Sequence, residues 1–227
     1  MRGIILTAAL LASVPAAAQH QHGQPAPAQP GQHADHAAGH ATGIPEGWQV
    51  RLDRPGSTAP LHFMSMDGSL HAILGPAGIF YQPTATATGA FTLSGTFTLN
   101  KPSEHPEAFG MLLGGRDLQG PGQDYLYFLI RQDGQFLVKH RAGGETHTLI
   151  DWTENTAVQR PGADGKATNT LTVQSSAQGV RFLVNGTEVG TLPRQVNTDG
   201  VYGLRLNHNL DVTVTNFGTQ IPSGHSH

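Results

Sequence analysis

Residues 125–141, YLYFLIRQDGQFLVKHR, predict two β-strands joined by a tight turn. If residues 132–134 form a three-residue loop with Gly134 in the left-handed conformation, Ile130 lies opposite Phe136. Every second residue of each strand then points to the same side of the hairpin. One side carries Leu126, Phe128, Ile130, Phe136 and Val138, and the other carries Tyr125, Tyr127, Leu129, Arg131, Leu137, Lys139 and Arg141.

A two-residue Asp-Gly loop is the alternative, and it would pair Ile130 with Leu137. That register places Lys139 and Arg141 on the apolar side, where burying two cations would be costly. We therefore favour the three-residue loop. The hairpin therefore has one apolar side, which can pack in a core, and one aromatic-basic side, whose role this pattern does not define.

The rest of the chain repeats this strand-and-turn pattern. Residues 89–100 alternate strictly between apolar and hydroxyl side chains, and Asn185-Gly186 is a strong two-residue hairpin signal. Gly 29 and Pro 15 are abundant while charged residues make up only 13%, and no convincing amphipathic helix is present. About a dozen strands without a βαβ rhythm predict an all-β fold, an antiparallel two-sheet jelly-roll sandwich.

The two ends of the chain differ from this pattern. Residues 1–18 resemble a secretory signal peptide, with Arg2, a short apolar run and Ala16-Ala17-Ala18, which predicts bacterial export to the periplasm or medium. Residues 19–43 form a His-, Pro- and Gln-rich arm, 44–222 the sandwich domain, and 223–227 a His-containing tail. With no cysteine, the fold must rely on its core rather than on disulfides.

The arm contains His20, His22, His33, His36 and His40. Neutral imidazole binds zinc, copper and nickel, so these side chains are candidates for weak transition-metal binding. Their spacing defines no coordination geometry, and the composition favours a solubilising arm. Both interpretations remain open.

Charge and motifs exclude several function classes. The net charge of −3 provides no field that would attract nucleic acid, and no segment is long and apolar enough for a membrane span. Gly-x-Ser-x-Gly, a phosphate-binding loop and cysteine are all absent, which argues against acyl transfer by those routes, nucleotide binding and thiol chemistry.

Five segments together resemble concanavalin A-like jelly rolls, and in particular the laminin G-like domains of bacterial exported proteins, including the 3-keto-disaccharide hydrolase family. They are EAFGMLLGG (107–115), YLYFLIR (125–131), NTLTV (169–173), VNG (184–186) and GLRLN (203–207). The similarity spans about residues 89–217. It implies two curved sheets with a ligand on the concave one, and the hydrolase label of the relatives suggests an activity on glycosides. The Asn185-Gly186 hairpin marks the fold and implies no chemistry.

The polar side of the hairpin is the candidate ligand-binding surface, since aromatic rings with planar hydrogen-bonding groups hold sugars. Residues of a later strand could extend it, and a tryptophan expected in a loop could cap it. The alternative is an ordinary solvated strand face. The candidate residues are Tyr125, Tyr127, Arg131, Lys139, Arg141, Trp152, Arg205, Asn207 and His208.

Acidic residues give a weaker signal. Glycosidases need two carboxylates, and the Glu-x-Asp-x-x-Glu pattern of laminarinase-type relatives is absent, so a pair would have to assemble from loops. Structural calcium is common in concanavalin A-like domains, but no Asp-x-Asp-x-Asp run is present and we assign no site. The candidate ligands for such an ion are Asp117, Asp124, Asp151 and Asp211. His140 falls on the apolar side, which predicts a core histidine.

Three functions remain open. The first is an exported module that binds a carbohydrate or glycoconjugate on the aromatic-basic surface. The second is a hydrolase acting on glycosides through loop carboxylates. The third is an envelope protein-interaction domain with a metal-buffering histidine arm. An acidic pair in a groove would favour the second. The oligomeric state and the identity of any glycan are not predicted.

Overall fold

The computed structural model describes residues 43–220, which form fourteen strands in two antiparallel sheets of seven strands each. Sheet 1 contains, in spatial order, β1 (Gln49–Leu52), β4 (Gly78–Ala87), β13 (Gly200–Leu206), β6 (Ala108–Arg116), β7 (Asp124–Arg131), β8 (Gln135–Ala142) and β9 (Glu145–Glu154). Sheet 2 contains β12 (Thr187–Leu192), β11 (Gly179–Val184), β10 (Ala167–Ser176), β5 (Phe91–Lys101), β14 (Leu210–Gln220), β3 (Ser69–Leu74) and β2 (Leu61–Met66). The predicted all-β sandwich is confirmed.

No helix occurs among residues 43–220, so this part of the chain holds none that could cross a membrane. The signal peptide, the histidine arm and the C-terminal tail lie outside the described residues, apart from Gly43 at the end of the arm. The export signal and the arm's metal binding therefore stay predictions.

The core lies between the two sheets and is built by the period-two alternation of their strands. In β5, Phe91, Leu93, Phe97 and Leu99 are all buried, while the intervening residues are half-buried. Aromatic pairs join the sheets: the ring centroids of Phe128 and Phe182 are 5.1 Å apart. Burying such side chains removes most of their apolar surface from water, which is the main force holding the sandwich together.

The β7–β8 hairpin has the register predicted from the three-residue loop. Ile130 pairs with Phe136 and Phe128 with Val138. Gly134 has a φ of 87°, which only glycine adopts without strain, and its N–H donates to the carbonyl of Arg131 at 3.1 Å. The aliphatic and phenyl side chains that were expected to face the core all do so.

The predicted Asn185-Gly186 turn also forms, with φ values of 50° and 80° that suit a type I′ hairpin between β11 and β12. Asn185 has a second role, because its side-chain amide donates to the carbonyl of Ala157 at 2.8 Å. The turn thereby anchors the loop that follows β9.

The two sheets present different surfaces on the sides turned away from the core. On sheet 2, β5 and β10 carry a hydroxyl ladder in which Thr96 bonds Thr170 and Thr98 bonds Thr168, both at 3.0 Å. These groups satisfy one another and leave little for a ligand. The corresponding side of sheet 1, which we call the outer face, carries tyrosines, arginines and a lysine instead.

Candidate functional site

The outer face of sheet 1 brings five of the predicted site residues together. Tyr127 pairs with Lys139 and Tyr125 with Arg141 across β7 and β8. Arg205 reaches the same place from β13, with its guanidinium carbon 5.8 Å from the ring centroid of Tyr127. The two tyrosine rings lie 5.8 Å apart at an interplanar angle of 45°. We call these five residues the aromatic-basic face.

Arg205 is held by a residue that sequence reasoning missed. Its two terminal nitrogens donate to the two carboxylate oxygens of Asp53, each at 2.6 Å. The Arg205 side chain is only 12% exposed, whereas that of Asp53 is 45% exposed. The ion pair fixes the Arg205 guanidinium beside Tyr127, but the buried Nε–H of Arg205 has no hydrogen-bond acceptor among the described residues.

The ionisable groups of this face influence one another. Burial alone would raise the pKa of the Asp53 carboxyl, but the hydrogen bonds and charge of Arg205, with the charges of Arg141 and Arg51, hold it below its ordinary value. Burial raises the pKa of both the Tyr125 and Tyr127 hydroxyls, against the opposing charge of Arg205. The tyrosines are therefore neutral at physiological pH and available as hydrogen-bond donors and acceptors.

The β6–β7 loop, residues 117–123, closes one end of the face. Arg51 of β1 donates through Nη1 to the carbonyl oxygens of Leu118 and Gly120, at 2.9 and 2.6 Å. The buried Gln123 amide is assigned with its oxygen toward the arginines, since it then accepts from Arg141 Nη2 at 3.3 Å and from Arg51 Nη2 at 3.2 Å. One neutral oxygen thus lies between two guanidinium groups.

Part of the outer face forms additional apolar packing, which the sequence did not predict. Tyr125, Leu129 and Leu137 are 4%, 3% and 2% exposed. Tyr125 packs in a small cluster with Leu118 of the covering loop, and Leu129 packs with Leu137 in another. Tyr127 is half-buried and touches both clusters, so its ring is held rigidly at the centre of the face.

Arg131 and Trp152 form a separate pair. The guanidinium carbon of Arg131 lies 4.1 Å from the Trp152 ring centroid, and Arg131 Nη2 also donates to Asp133 at 2.6 Å. Arg131 is four residues beyond Tyr127 on β7, which places it about 13 Å along the strand. Trp152 lies within β9 rather than in the expected loop, and it stacks on Arg131.

Asn207 and His208 lie beyond Arg205, at the end of β13. They line a cleft of about 560 Å³ at the end of β13, whose walls also include Asp53 and Arg205. His208 Nε2 lies 2.9 Å from Glu107 Oε1, and the Glu107 side chain is 9% exposed. The pair occupies the end of the sheet, and Arg205 links the cleft to the aromatic-basic face.

Acidic residues do not gather into a metal site: within residues 43–220, no three His, Asp or Glu side chains come close enough to hold an ion. Asp124 and Asp151 lie in strands rather than in the expected loops. His140 is not a core residue, since its side chain is 33% exposed and its Nε2 lies 3.1 Å from Asp124 Oδ2. It sits at the open end of β8, where the sandwich no longer covers it.

Asp53, Arg51 and Gln123 are the members of the site that sequence reasoning missed. Arg51 and Asp53 alternate at the end of a short strand, a weak signal that marks one face but identifies no partner. The partner of Asp53 is 152 residues away in the chain. Only the sheet order β1-β4-β13 brings the two together.

Comparison with known proteins supports the fold but identifies no family. No family model matches the chain, and a comparison with curated proteins likewise found no match, so membership of the 3-keto-disaccharide hydrolase family is not confirmed. The carbohydrate-binding module CBM66 from Bacillus subtilis is similar at a TM-score of 0.57 and 10% identity, over 77% of this chain and 95% of that one.

A second solved structure from Bacillus subtilis, a protein of unknown function with a galectin-like fold, has a TM-score of 0.56 and 15% identity. The match covers 76% of this chain and 88% of that one. Both structures share the two-sheet jelly-roll sandwich architecture of this chain. At these identities they establish the architecture alone.

Proposed function

We propose that this protein binds carbohydrate on the aromatic-basic face of sheet 1. The observation that carries the proposal is the setting of Tyr127: a half-buried ring that packs against two apolar clusters and lies between Lys139 across the hairpin and Arg205 on β13. A rigid aromatic ring can stack on the C–H side of a sugar while the flanking nitrogens bond its hydroxyls.

Two further features support the proposal. The hydroxyl ladder of sheet 2 satisfies itself, so the contrast between the two surfaces favours sheet 1 as the ligand side. One structure that shares the fold, CBM66, is a carbohydrate-binding module. Export through a signal peptide would place such a module where extracellular glycans occur, and this location remains part of the proposal.

Hydrolysis is less well supported. Among the described residues, Asp53 is the carboxylate whose charge couples to Tyr125, Tyr127 and Arg205. Both of its oxygens accept hydrogen bonds from Arg205 and its pKa is lowered, whereas a glycosidase acid requires a raised pKa and a second carboxylate. The face is therefore better suited to holding a sugar than to cleaving one.

A glycan array probed with the full chain tests the proposal. The wild type should bind at least one glycan, Tyr127→Ala should lose binding about tenfold or more, and Tyr127→Phe should retain the stacking part. Met66→Ala serves as a control, because Met66 is an exposed apolar residue of sheet 2 at 57% exposure. If Tyr127→Ala binds as tightly as the wild type, the binding site lies elsewhere and the proposal is contradicted.

A further inference from the structure

The aromatic-basic face carries more positive charge than its own carboxylate can balance. Lys139, Arg141 and Arg205 of the face and the neighbouring Arg51 contribute four positive charges, and Asp53, the ion-pair partner of Arg205, contributes one negative charge, which leaves an excess of three among these five groups. Within residues 43–220, the ion pairs include neither Arg51, Lys139 nor Arg141. For a protein of net charge −3, this concentration of cations is a local feature of the face.

The neighbours of these cations are neutral. Arg51 bonds two backbone carbonyls, and Arg141 donates through Nε to the carbonyl of Gly143 at 2.8 Å and through Nη1 to the Thr146 hydroxyl at 3.4 Å. Gln123 places one amide oxygen between the two arginines. Such contacts orient the guanidinium groups without cancelling their charge, so the positive potential remains directed at the face.

The Lys139 ammonium has no hydrogen-bond or ion-pair partner among the described residues. It is half-buried, lies directly across from Tyr127, and is two residues from Arg141 on the same side of β8, about 7 Å along the strand. An ammonium in this position, next to a fixed ring, is placed to meet an acceptor brought by a ligand.

Most of the polar side chains of this face are cationic donors. The two oxygens of Asp53 already accept from Arg205, and the tyrosine hydroxyls are neutral acceptors. Neutral sugars offer hydroxyls that both donate and accept, and they match sites holding free acceptors as well as donors. A surface that supplies donors and cations is complementary to a ligand that supplies anionic oxygens.

We infer that the carbohydrate bound on this face is acidic and carries a carboxylate or sulfate group that lies between Lys139 and Arg141 beside the Tyr127 ring. The inference rests on the proposed carbohydrate-binding function and names the ligand class for it. The sugar ring stacks on Tyr127, and the anionic group replaces water around the two cations.

The test uses the full chain against an array of neutral oligosaccharides together with uronate-, sialate- and sulfate-bearing ones. Any acidic hit is then measured by titration calorimetry against a neutral counterpart, such as an oligogalacturonide and its methyl ester. The acidic glycan should bind about tenfold or more tightly than its neutral counterpart. Raising the salt concentration from about 0.05 M to about 0.5 M should weaken the binding of the acidic glycan only. The uronate and sulfate sets distinguish the two anionic groups.

Lys139→Gln and Arg141→Gln should each lower affinity for the acid about tenfold and should lower affinity for its methyl ester much less, because a hydroxyl loses only a neutral hydrogen bond. Lys101→Gln, an exposed lysine at the end of β5 in sheet 2, is the charge-matched control and should bind like the wild type. Lys139 has no partner to lose, so its variant should fold even if Arg141→Gln does not.

The outcomes separate the inference from the function on which it rests. If the protein binds only neutral glycans and Tyr127→Ala loses that binding, the inference of an acidic ligand is contradicted and the proposed carbohydrate-binding function is supported. No binding to any glycan would overturn both. Acid binding that Lys139→Gln and Lys101→Gln weaken equally would show nonspecific attraction to the protein's cations, and this also would overturn the inference.

Discussion

Arg205 of β13 and Asp53, which follows β1, form a bidentate pair with both nitrogen–oxygen distances at 2.6 Å. The guanidinium is almost fully covered, while nearly half of the carboxylate side chain remains exposed. The pair spans three neighbouring strands, since β4 lies between β1 and β13. It joins the edge of sheet 1 to its centre and sets the position of the cation beside Tyr127.

Removing the carboxylate from this pair should destabilise the protein. In Asp53→Asn the amide can accept only one of the two hydrogen bonds, and the covered Arg205 charge loses its counter-charge. We expect a loss of about 1–3 kcal/mol, moderated because water can reach the exposed side of the site. Urea unfolding measures the change, with Glu104→Gln, an exposed loop carboxylate, as the control. Equal stability of the two variants would contradict this role for the pair.

Acidification should reduce this contribution. The pKa of the Asp53 carboxyl is lowered from its ordinary value of 3.8, so the folded protein binds fewer protons than the unfolded chain around that value. The stabilisation is therefore fully present well above pH 3.8, begins to decline as the pH approaches that value, and is lost as the pH falls through the folded pKa. The stability gap between wild type and Asp53→Asn should stay constant down to about pH 5 and then shrink. Unfolding curves across this range would refute the assignment if the gap widened.

The two sides of the β7–β8 hairpin should respond differently to truncation. Phe128 is fully buried and packs on Phe182, so Phe128→Ala should cost about 3–5 kcal/mol through the cavity it leaves. Arg131→Ala should cost about 1 kcal/mol, because it removes a stack on Trp152 and an ion pair at a side chain that is 21% exposed. Thermal unfolding compares the two, and a larger loss for Arg131→Ala would show that packing on the outer face dominates.

Gly110 should be intolerant of a side chain. It lies on β6 between Arg205 and Leu129, and a Cβ there would come within 2.2 Å of the Phe128 carbonyl oxygen. Gly110→Ala must therefore push β6 and β7 apart, at a cost of about 1–3 kcal/mol. Gly218→Ala is the matched control, because its Cβ would meet no atom within 4 Å. Similar melting temperatures for the two variants would mean that the strands can separate without loss.

Much of the fold could be read from local patterns. The register of the β7–β8 hairpin followed from Gly134 and from the cost of burying Lys139 and Arg141, and the structure confirms it. The Asn185-Gly186 turn and the alternation in β5 were also predictable. Each of these features depends on residues close together in the chain, where backbone conformation and the period of two limit the choices.

The site was only partly predictable, because most of its contacts join residues that are far apart in the chain. Alternation indicates which side of a strand a residue occupies, but not which distant strand lies beside it. Arg131 and Tyr127 share a side of β7 in the sequence, yet Arg131 stacks on Trp152 and Tyr127 faces Arg205. The burial of Leu137 on the outer face could not be predicted either, because neighbouring strands supply the side chains that cover it.

The sequence by itself determined the all-β class, the hairpin with its two chemically different sides, and the four hairpin residues of the aromatic-basic face, whereas the approach of Arg205 to them depends on the strand order of sheet 1. Only the tertiary structure decided that Asp53 balances Arg205, that Gln123 lies between Arg51 and Arg141, and that Lys139 has no partner among the described residues. Those relationships depend on the order of strands in sheet 1, which is set by the packing of the whole sandwich rather than by any short stretch of chain.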